Sequence, residues 1–227
     1  MRKKREMPME KRIALIGLDG SGKSANIERM KQDESYRGYH FIWVRWEPVL
    51  QRPAYWLLNR RLAKKRKNEK QGQFSTDYRA KAAVKGKLFK SPIIRNIWMA
   101  LALIDYTIQF YIKTGSLLVR NKKIVFDRFY LDLFVDQGLN FGYSPEKIAG
   151  EIRRYRKMFP RIERFIYIRV SPETCFRRKD DIPGMEYLRK RYAVYELLSR
   201  EREWVSVDGE RPFEEVYAEI QSHIVTA

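Results

Sequence analysis

Five short apolar runs, each separated from the next by polar or helix-periodic sequence, set the rhythm of the chain. Arg12 to Ile16, Tyr39 to Arg45, Lys123 to Asp127, Phe165 to Val170 and Trp204 to Val207 are rich in β-branched and aromatic residues, which predicts strands. The intervals predict helices: 24 to about 32, Pro92 to about Thr114, Leu131 to Leu139, Pro145 to before Pro160, a short one opened by Ser171-Pro172-Glu173, 185 to 202, and one from Pro212 onward. Ser144 reads as an N-cap and the early prolines as first-turn residues. Gly115 marks an expected break in the long helix, and 33 to 38 a polar turn. Residues 54 to 67 and 77 to 90 read as basic helical segments joined by a flexible connection at 68 to 76. Short buried strands alternating with helices predict a parallel sheet covered on both faces. Ligand sites in such sheets lie at the carboxyl ends of the strands. Three segments fall there: 17 to 24, Arg45 to Glu47, and Asp127-Arg128.

Composition narrows the class. A chain of 227 residues with 44% hydrophobic content supports one domain with insertions and a sizeable core. Cys175 is the one cysteine, which excludes an internal disulfide, and with only His40 and His223 beside it a structural zinc site has no ligand set. That usage fits a reducing cytoplasm, and the charged N-terminus predicts no secretion signal. The apolar stretch Ile97 to Ile112 is interrupted by Asp105; it predicts a core helix rather than a membrane span, with an interfacial position as the alternative. The net charge of +19 is concentrated, for twelve lysines and arginines face two carboxylates between Arg60 and Lys90. Such a segment is either a solvated basic face or a surface for anionic lipid, a phosphorylated glycan or nucleic acid. No separate nucleic-acid module is recognisable, so nucleic acid is not the expected partner.

Residues 17 to 24, Gly-Leu-Asp-Gly-Ser-Gly-Lys-Ser, follow the first strand and open the first helix. They fit the phosphate-loop pattern G-x-x-x-x-G-K-[ST]. Gly17 and Gly22 let main-chain N–H groups close around a phosphate, at the end of a helix whose dipole favours an anion. Lys23 brings a positive charge to the β- and γ-phosphates, and the Ser24 hydroxyl is suited to Mg²⁺. Binding of a nucleoside triphosphate, ATP, with Mg²⁺ is therefore the expectation.

Beyond the loop, the sequence resembles the thymidylate kinase family. The loop with its acidic Asp19, Arg45-Trp-Glu-Pro48 after strand two, Phe126-Asp-Arg-Phe-Tyr130 followed by Gln137-Gly138, Arg177-Arg178 after Val170-Ser-Pro-Glu173, and Val207-Asp-Gly209 carry the likeness. It implies a three-layer P-loop kinase fold, a five-stranded parallel sheet with helices on both faces, forming one domain over 1–227. A basic helical insertion at about 52–92 and an arginine-bearing lid at about 173–190 complete it. It also implies roles. Gly17, Asp19, Gly20, Ser21, Gly22, Lys23, Ser24 and Asp208 hold ATP. Asp19, Arg45, Glu47, Arg128 and Gln137 hold the acceptor. Ser24 and Asp127 serve Mg²⁺, and Lys23, Asp127, Arg128, Arg177 and Arg178 act in catalysis, Asp127 as general base if the acceptor is a neutral hydroxyl.

The implied acceptor is a nucleoside monophosphate, dTMP by resemblance, and the implied assembly a homodimer. Asp132, Leu133 and Asp136 depart from the family, which usually carries small or polar residues near the base and an aromatic before Gln-Gly. The alternative acceptor is therefore a larger anionic one, a surface-glycan or lipid-linked intermediate held by 60–90 at the membrane surface. A polyanion-stimulated ATPase is the other-class alternative.

Overall fold

In a computed structural model, which describes residues 11–49, 52, 56 and 89–225, the strand that precedes the glycine loop lies at the centre of the sheet. This is β1, Arg12–Ile16; it is followed by α1, Lys23–Gln32, and β2, Tyr39–Trp43. Next come α2, Pro92–Val119, β3, Lys123–Asp127, α3, Tyr130–Asn140, and α4, Pro145–Tyr155. The chain ends with β4, Arg164–Arg169, α5, Pro172–Arg178, α6, Met185–Leu198, β5, Trp204–Asp208, and α7, Phe213–Val225. The five strands are parallel and ordered β2-β3-β1-β4-β5. Helices flank the sheet, giving the expected three-layer α/β architecture.

The order explains where the site lies. From β1 the chain runs to β2 on one side, and from β4 it runs to β5 on the other, so connections diverge around β1 and leave a crevice at the strand ends. Register aligns Asp127, the last residue of β3, with Leu15 on β1 and Trp43 on β2. Asp127 thus sits beside the start of the glycine loop.

The core is continuous through β1, β3 and β4, where Ile13, Ala14, Leu15, Ile124, Val125 and Ile166 are buried. Phe110 from α2, Phe126, Phe129 and Phe159 pack ring to ring, with centroids 5.1 to 6.0 Å apart. These contacts fasten α2 to the sheet.

Several boundaries differ from the sequence reading. α2 does not break at Gly115 but runs on to Val119. A mid-helix glycine costs only about 1 kcal/mol, and the buried Trp98, Ala102, Leu103, Tyr106, Phe110 and Thr114 hold the helix in place. The stop comes at Asn121, in left-handed backbone (φ 50°), where the Lys122 N–H donates to the Leu117 carbonyl and the Asn121 N–H to Leu118. β2 ends at Trp43 rather than Arg45, and α6 at Leu198 rather than 202. The Ser144 hydroxyl does cap α4, accepting from the Lys147 N–H at 3.3 Å. The basic helical segments expected at 54–67 and 77–90, and most of the insertion at 52–92, lie outside the described residues. Among the described residues no helix is long and apolar enough to cross a membrane.

Candidate active site

The glycine loop owes its shape to three different constraints. Gly22, the residue before α1, has φ 91°, and a β-carbon there would only touch the Asn26 side-chain amide at 3.8 Å, an ordinary contact, so backbone conformation alone asks for glycine. At Gly20 a β-carbon would fall 2.6 Å from the Cys175 carbonyl oxygen, because α5 packs directly on the loop. At Gly17 it would fall 2.6 Å from the Ser21 hydroxyl and 2.8 Å from the Ile168 carbonyl. Cys175 itself is buried and its thiol is pushed up to about 11 by that burial, which makes it a packing residue rather than a reactive one.

Lys23 lies within the loop. Its Nζ donates to the carbonyls of Gly17 at 2.8 Å and Leu18 at 2.6 Å, and to the Ser21 hydroxyl at 3.3 Å. Burial, reinforced by the nearby Arg128 charge, pulls its ammonium down to about 8.

Arg128 follows β3 in left-handed backbone, φ 68°, a conformation that costs a non-glycine residue on the order of 1 kcal/mol or more. What holds it there is a pair of carboxylates. Nη1 donates to Asp132 at 2.6 Å and Nη2 to Asp19 in the glycine loop. Both edges of the guanidinium are engaged, and its pKa is raised because the two carboxylates outweigh burial. Asp132 also accepts from the Tyr195 hydroxyl at 2.6 Å, and Asp19 from the Tyr187 hydroxyl at 3.2 Å, both tyrosines lying on α6. Burial alone would raise the two aspartates, yet Arg128 holds both below the usual carboxylate range. Asp127 behaves in the opposite way. Burial raises its carboxyl more than Arg128 and Lys23 lower it, and among the described residues its side chain makes no hydrogen bond.

The remaining expected site residues are distributed around this centre. Ser24 is exposed at the start of α1. Arg177 and Arg178 are exposed at the end of α5, where Arg177 donates to the Thr174 hydroxyl at 3.1 Å and Arg178 to the Gly209 carbonyl at 3.1 Å. The second bond ties α5 to the turn that follows Asp208, the last residue of β5, and Glu210 in the same turn accepts from the Ser171 N–H and hydroxyl. Arg45 and Glu47 are exposed after β2. That segment is fixed by Asp105 of α2, which accepts from the Val49 N–H at 2.7 Å and the Trp46 indole at 3.4 Å. Gln137 is buried, and its Oε1 accepts from the Trp98 indole at 3.0 Å.

Sequence reading missed four members of the central network as site residues: Asp132, Tyr187, Arg191 and Tyr195. Asp132 lies in the first turn of α3, four residues after Arg128, which stands before the helix in left-handed backbone, so their pairing depends on that turn rather than on a helix face. Tyr187, Arg191 and Tyr195 sit on a charged helix more than fifty residues away and carry no local sign of the glycine loop.

A pair of oxygen donors, the Ser24 hydroxyl and the Asp127 carboxylate, fits Mg²⁺, which keeps water and phosphate oxygens around it rather than a protein cage. No group of three or more His, Cys, Asp or Glu residues suited to a metal occurs among the described residues.

Two solved structures share the fold over nearly the whole chain. The structure of deoxyadenosine kinase from M. mycoides with bound dATP matches with a TM-score of 0.55 and 20% identity, over 93% of this chain and 97% of that one. The structure of deoxyadenosine kinase from M. mycoides with bound dCTP matches with a TM-score of 0.51 and 18% identity, over 95% and 99%. No family model matches the sequence, and no curated protein does.

Proposed function

We propose that this chain transfers the γ-phosphoryl group of ATP to a nucleoside or a nucleoside monophosphate, with dTMP the monophosphate that the sequence resemblance favours. One observation carries the reading: the glycine loop with Lys23 and the Asp127-Arg128 pair stand at the carboxyl ends of adjacent strands, β1 and β3. A triphosphate held by the loop then presents its terminal phosphoryl group to an acceptor beside β3. The phosphorus–oxygen bond to the β-phosphate breaks as the bond to the acceptor oxygen forms. Ser24, with Asp127 when the acceptor is a phosphate, would hold Mg²⁺, which would supply charge neutralisation at the phosphates. Lys23 exchanges its loop carbonyls for phosphate oxygens, and Arg177 and Arg178 on α5 add positive charge over the donor.

A neutral hydroxyl as acceptor is favoured by a specific observation. Arg128 is closed at both edges by Asp19 and Asp132, which leaves it positioned to organise the loop rather than to fork onto a phosphate. With a hydroxyl acceptor Asp127, raised by burial, takes the role of general base for the hydroxyl proton in place of the metal. The fold shared with deoxyadenosine kinases supports a nucleoside acceptor in the same sense. The test is a Mg·ATP transfer screen with purified protein against nucleosides, nucleoside monophosphates and a phosphorylated glycan and lipid extract. Turnover of nucleosides or their monophosphates is the expected result. Label entering only the extract would move the acceptor to residues 60–90 and the membrane surface, and hydrolysis without any acceptor would sink the transferase reading.

A further inference from the structure

The strand starts carry a charge that the rest of the fold does not. In a parallel sheet every connection enters its strand at one edge, and the backbone ties these entries together. The Ile124 N–H donates to the Lys11 carbonyl, the Glu163 N–H to Arg12 and the Phe165 N–H to Glu203. The connections into β3, β1, β4 and β5, at 120–123, 11–12, 153–164 and 200–203, are therefore neighbours. They hold thirteen lysines and arginines against three carboxylates, whereas the other described residues hold nineteen against twenty-one. The three carboxylates are already engaged, Glu201 by Arg153, Glu203 by Arg156 and Glu163 by the Lys11 N–H. Arg120, Lys122, Lys157, Arg161, Arg200 and Arg202 are exposed and make no ion pair among the described residues. Adjacent strands lie about 5 Å apart, inside the roughly 8 Å screening length of physiological salt, so the fields of these connections add. Two apolar side chains stand in that field. Val119, the last residue of α2, is 87% exposed beside Arg120, and Met158 is 41% exposed beside Lys157. The Tyr111 hydroxyl donates to the Met158 carbonyl at 2.8 Å, which holds the 156–158 turn against α2.

We infer that this edge of the sheet docks on an anionic lipid bilayer. Val119 and Met158 enter the headgroup region, and the surrounding lysines and arginines meet lipid phosphates and carboxylates. A concentrated positive field attracts any polyanion, but the details favour lipid over nucleic acid. These connections are turns and one 3₁₀ turn, with neither a helix nor a two-stranded ribbon to enter a duplex groove. Their exposed large apolar side chains are aliphatic, so no aromatic shelf is offered to unpaired bases. The docked orientation turns the glycine loop and Arg128, at the opposite ends of the strands, away from the lipid, which suits a water-soluble acceptor. The inference is independent of the proposed activity and of residues 60–90, because it uses no residue of either.

Co-sedimentation with vesicles tests it. The full chain binds vesicles of phosphatidylcholine with about one third phosphatidylserine, releases them as salt rises, and leaves pure phosphatidylcholine vesicles unbound. Arg120→Glu, Lys122→Glu, Lys157→Glu and Arg161→Glu combined, with unchanged circular dichroism, lower the partition coefficient at least about 100-fold. Val119→Ser with Met158→Ser lowers it about 10-fold and leaves retention on heparin unchanged, since only the apolar insertion is lost. A wild-type chain that stays free of the anionic vesicles overturns the inference. Equal binding by the charge-reversed chain also overturns it, by moving the lipid contact to other basic residues. Full vesicle binding by the Val119→Ser, Met158→Ser chain would make the edge a surface for polyanions such as nucleic acid, and likewise overturns it.

Discussion

Asp136 on α3 and Arg191 on α6 form an ion pair, and the Arg191 guanidinium lies 4.2 Å over the ring of Tyr187, whose hydroxyl reaches Asp19 in the glycine loop. One side chain therefore couples the helix after β3 to the glycine loop. Arg191 is 7% exposed and Asp136 25%, so each needs the other. Asp136→Asn is expected to cost about 2–3 kcal/mol of unfolding free energy, less than a fully buried pair because Asp136 meets solvent. Adding Arg191→Leu should recover most of that loss, since replacing both charges removes the uncompensated one. Urea unfolding of the two single variants and the double variant measures the coupling; additive losses would show that the pair contributes nothing as a pair.

Arg128 holds two carboxylates rather than one, and acid makes that visible. The Asp19 and Asp132 carboxyls are depressed in the fold, so their contribution is complete above the ordinary carboxylate pKa and is lost as pH falls through their folded values. With Arg128→Met, burial is no longer offset and both groups rise. The free-energy gap between the wild-type chain and Arg128→Met is expected to be about 3–5 kcal/mol near neutrality and to narrow as pH falls from 7 to 3. A gap that stays constant with pH would place the role of Arg128 in packing. Arg128→Gly should be milder than Arg128→Ala by about 1 kcal/mol, because φ 68° is free for glycine.

What the residue pattern made legible follows from locality. The five strands and the loop between β1 and α1 are written in contiguous residues: apolar runs, glycines at fixed offsets, and Asp127-Arg128 at a strand end. The parallel sheet and its strand-end site follow from those alone. The boundary at Asn121 was not readable, because a left-handed asparagine looks like any polar residue until the chain turns there. The convergence of Tyr187, Arg191 and Tyr195 on Asp19, Asp136 and Asp132 was invisible for a different reason, since it depends on how α6 is laid across the strand ends. Asp132 and Asp136 stood out only as departures from the family pattern, and their partners give the physical reason: Asp132 is balanced by the half-buried Arg128 and Asp136 by the buried Arg191. Ile97 to Ile112 was expected as a core helix, but α2 buries one face and leaves Ile97, Ile104 and Ile108 more than half exposed, a two-faced character that needed the sheet beside it.

The glycines of the loop should separate by mechanism. Gly20→Ala places a methyl group 2.6 Å from the Cys175 carbonyl and requires α5 to move; Gly22→Ala makes only an ordinary contact with Asn26 at 3.8 Å and faces the strain of φ 91°. Expected losses are about 2–3 kcal/mol for Gly20→Ala and about 1–2 kcal/mol for Gly22→Ala. Because Arg178 on α5 is hydrogen-bonded to the turn after Asp208, Gly20→Ala should also weaken nucleotide affinity. Thermal unfolding with and without Mg·ATP checks both, and a larger ligand effect in Gly22→Ala would contradict the role given to α5.

Lys23 gives the sharpest pH signature. Its ammonium has an ordinary value of 10.5 and is drawn down to about 8 in the fold, chiefly by burial. A lysine depressed on folding is a liability below its folded pKa, where the charged form must be kept buried, and the liability disappears as pH rises to the unfolded value. Stability of the wild-type chain relative to Lys23→Met is therefore expected to be lowest below pH 8 and to climb between about 8 and about 10.5, with a slope of at most about 1.4 kcal/mol per pH unit. The same variant should lose at least about 100-fold in transfer rate at neutral pH, which is what the donor-phosphate role proposed for Nζ requires. Denaturant unfolding across pH 7 to 10.5, run beside the transfer assay, separates the two effects. A flat stability difference would mean that the three oxygens around Nζ compensate fully for its burial, and a small loss of rate would remove Lys23 from the donor site.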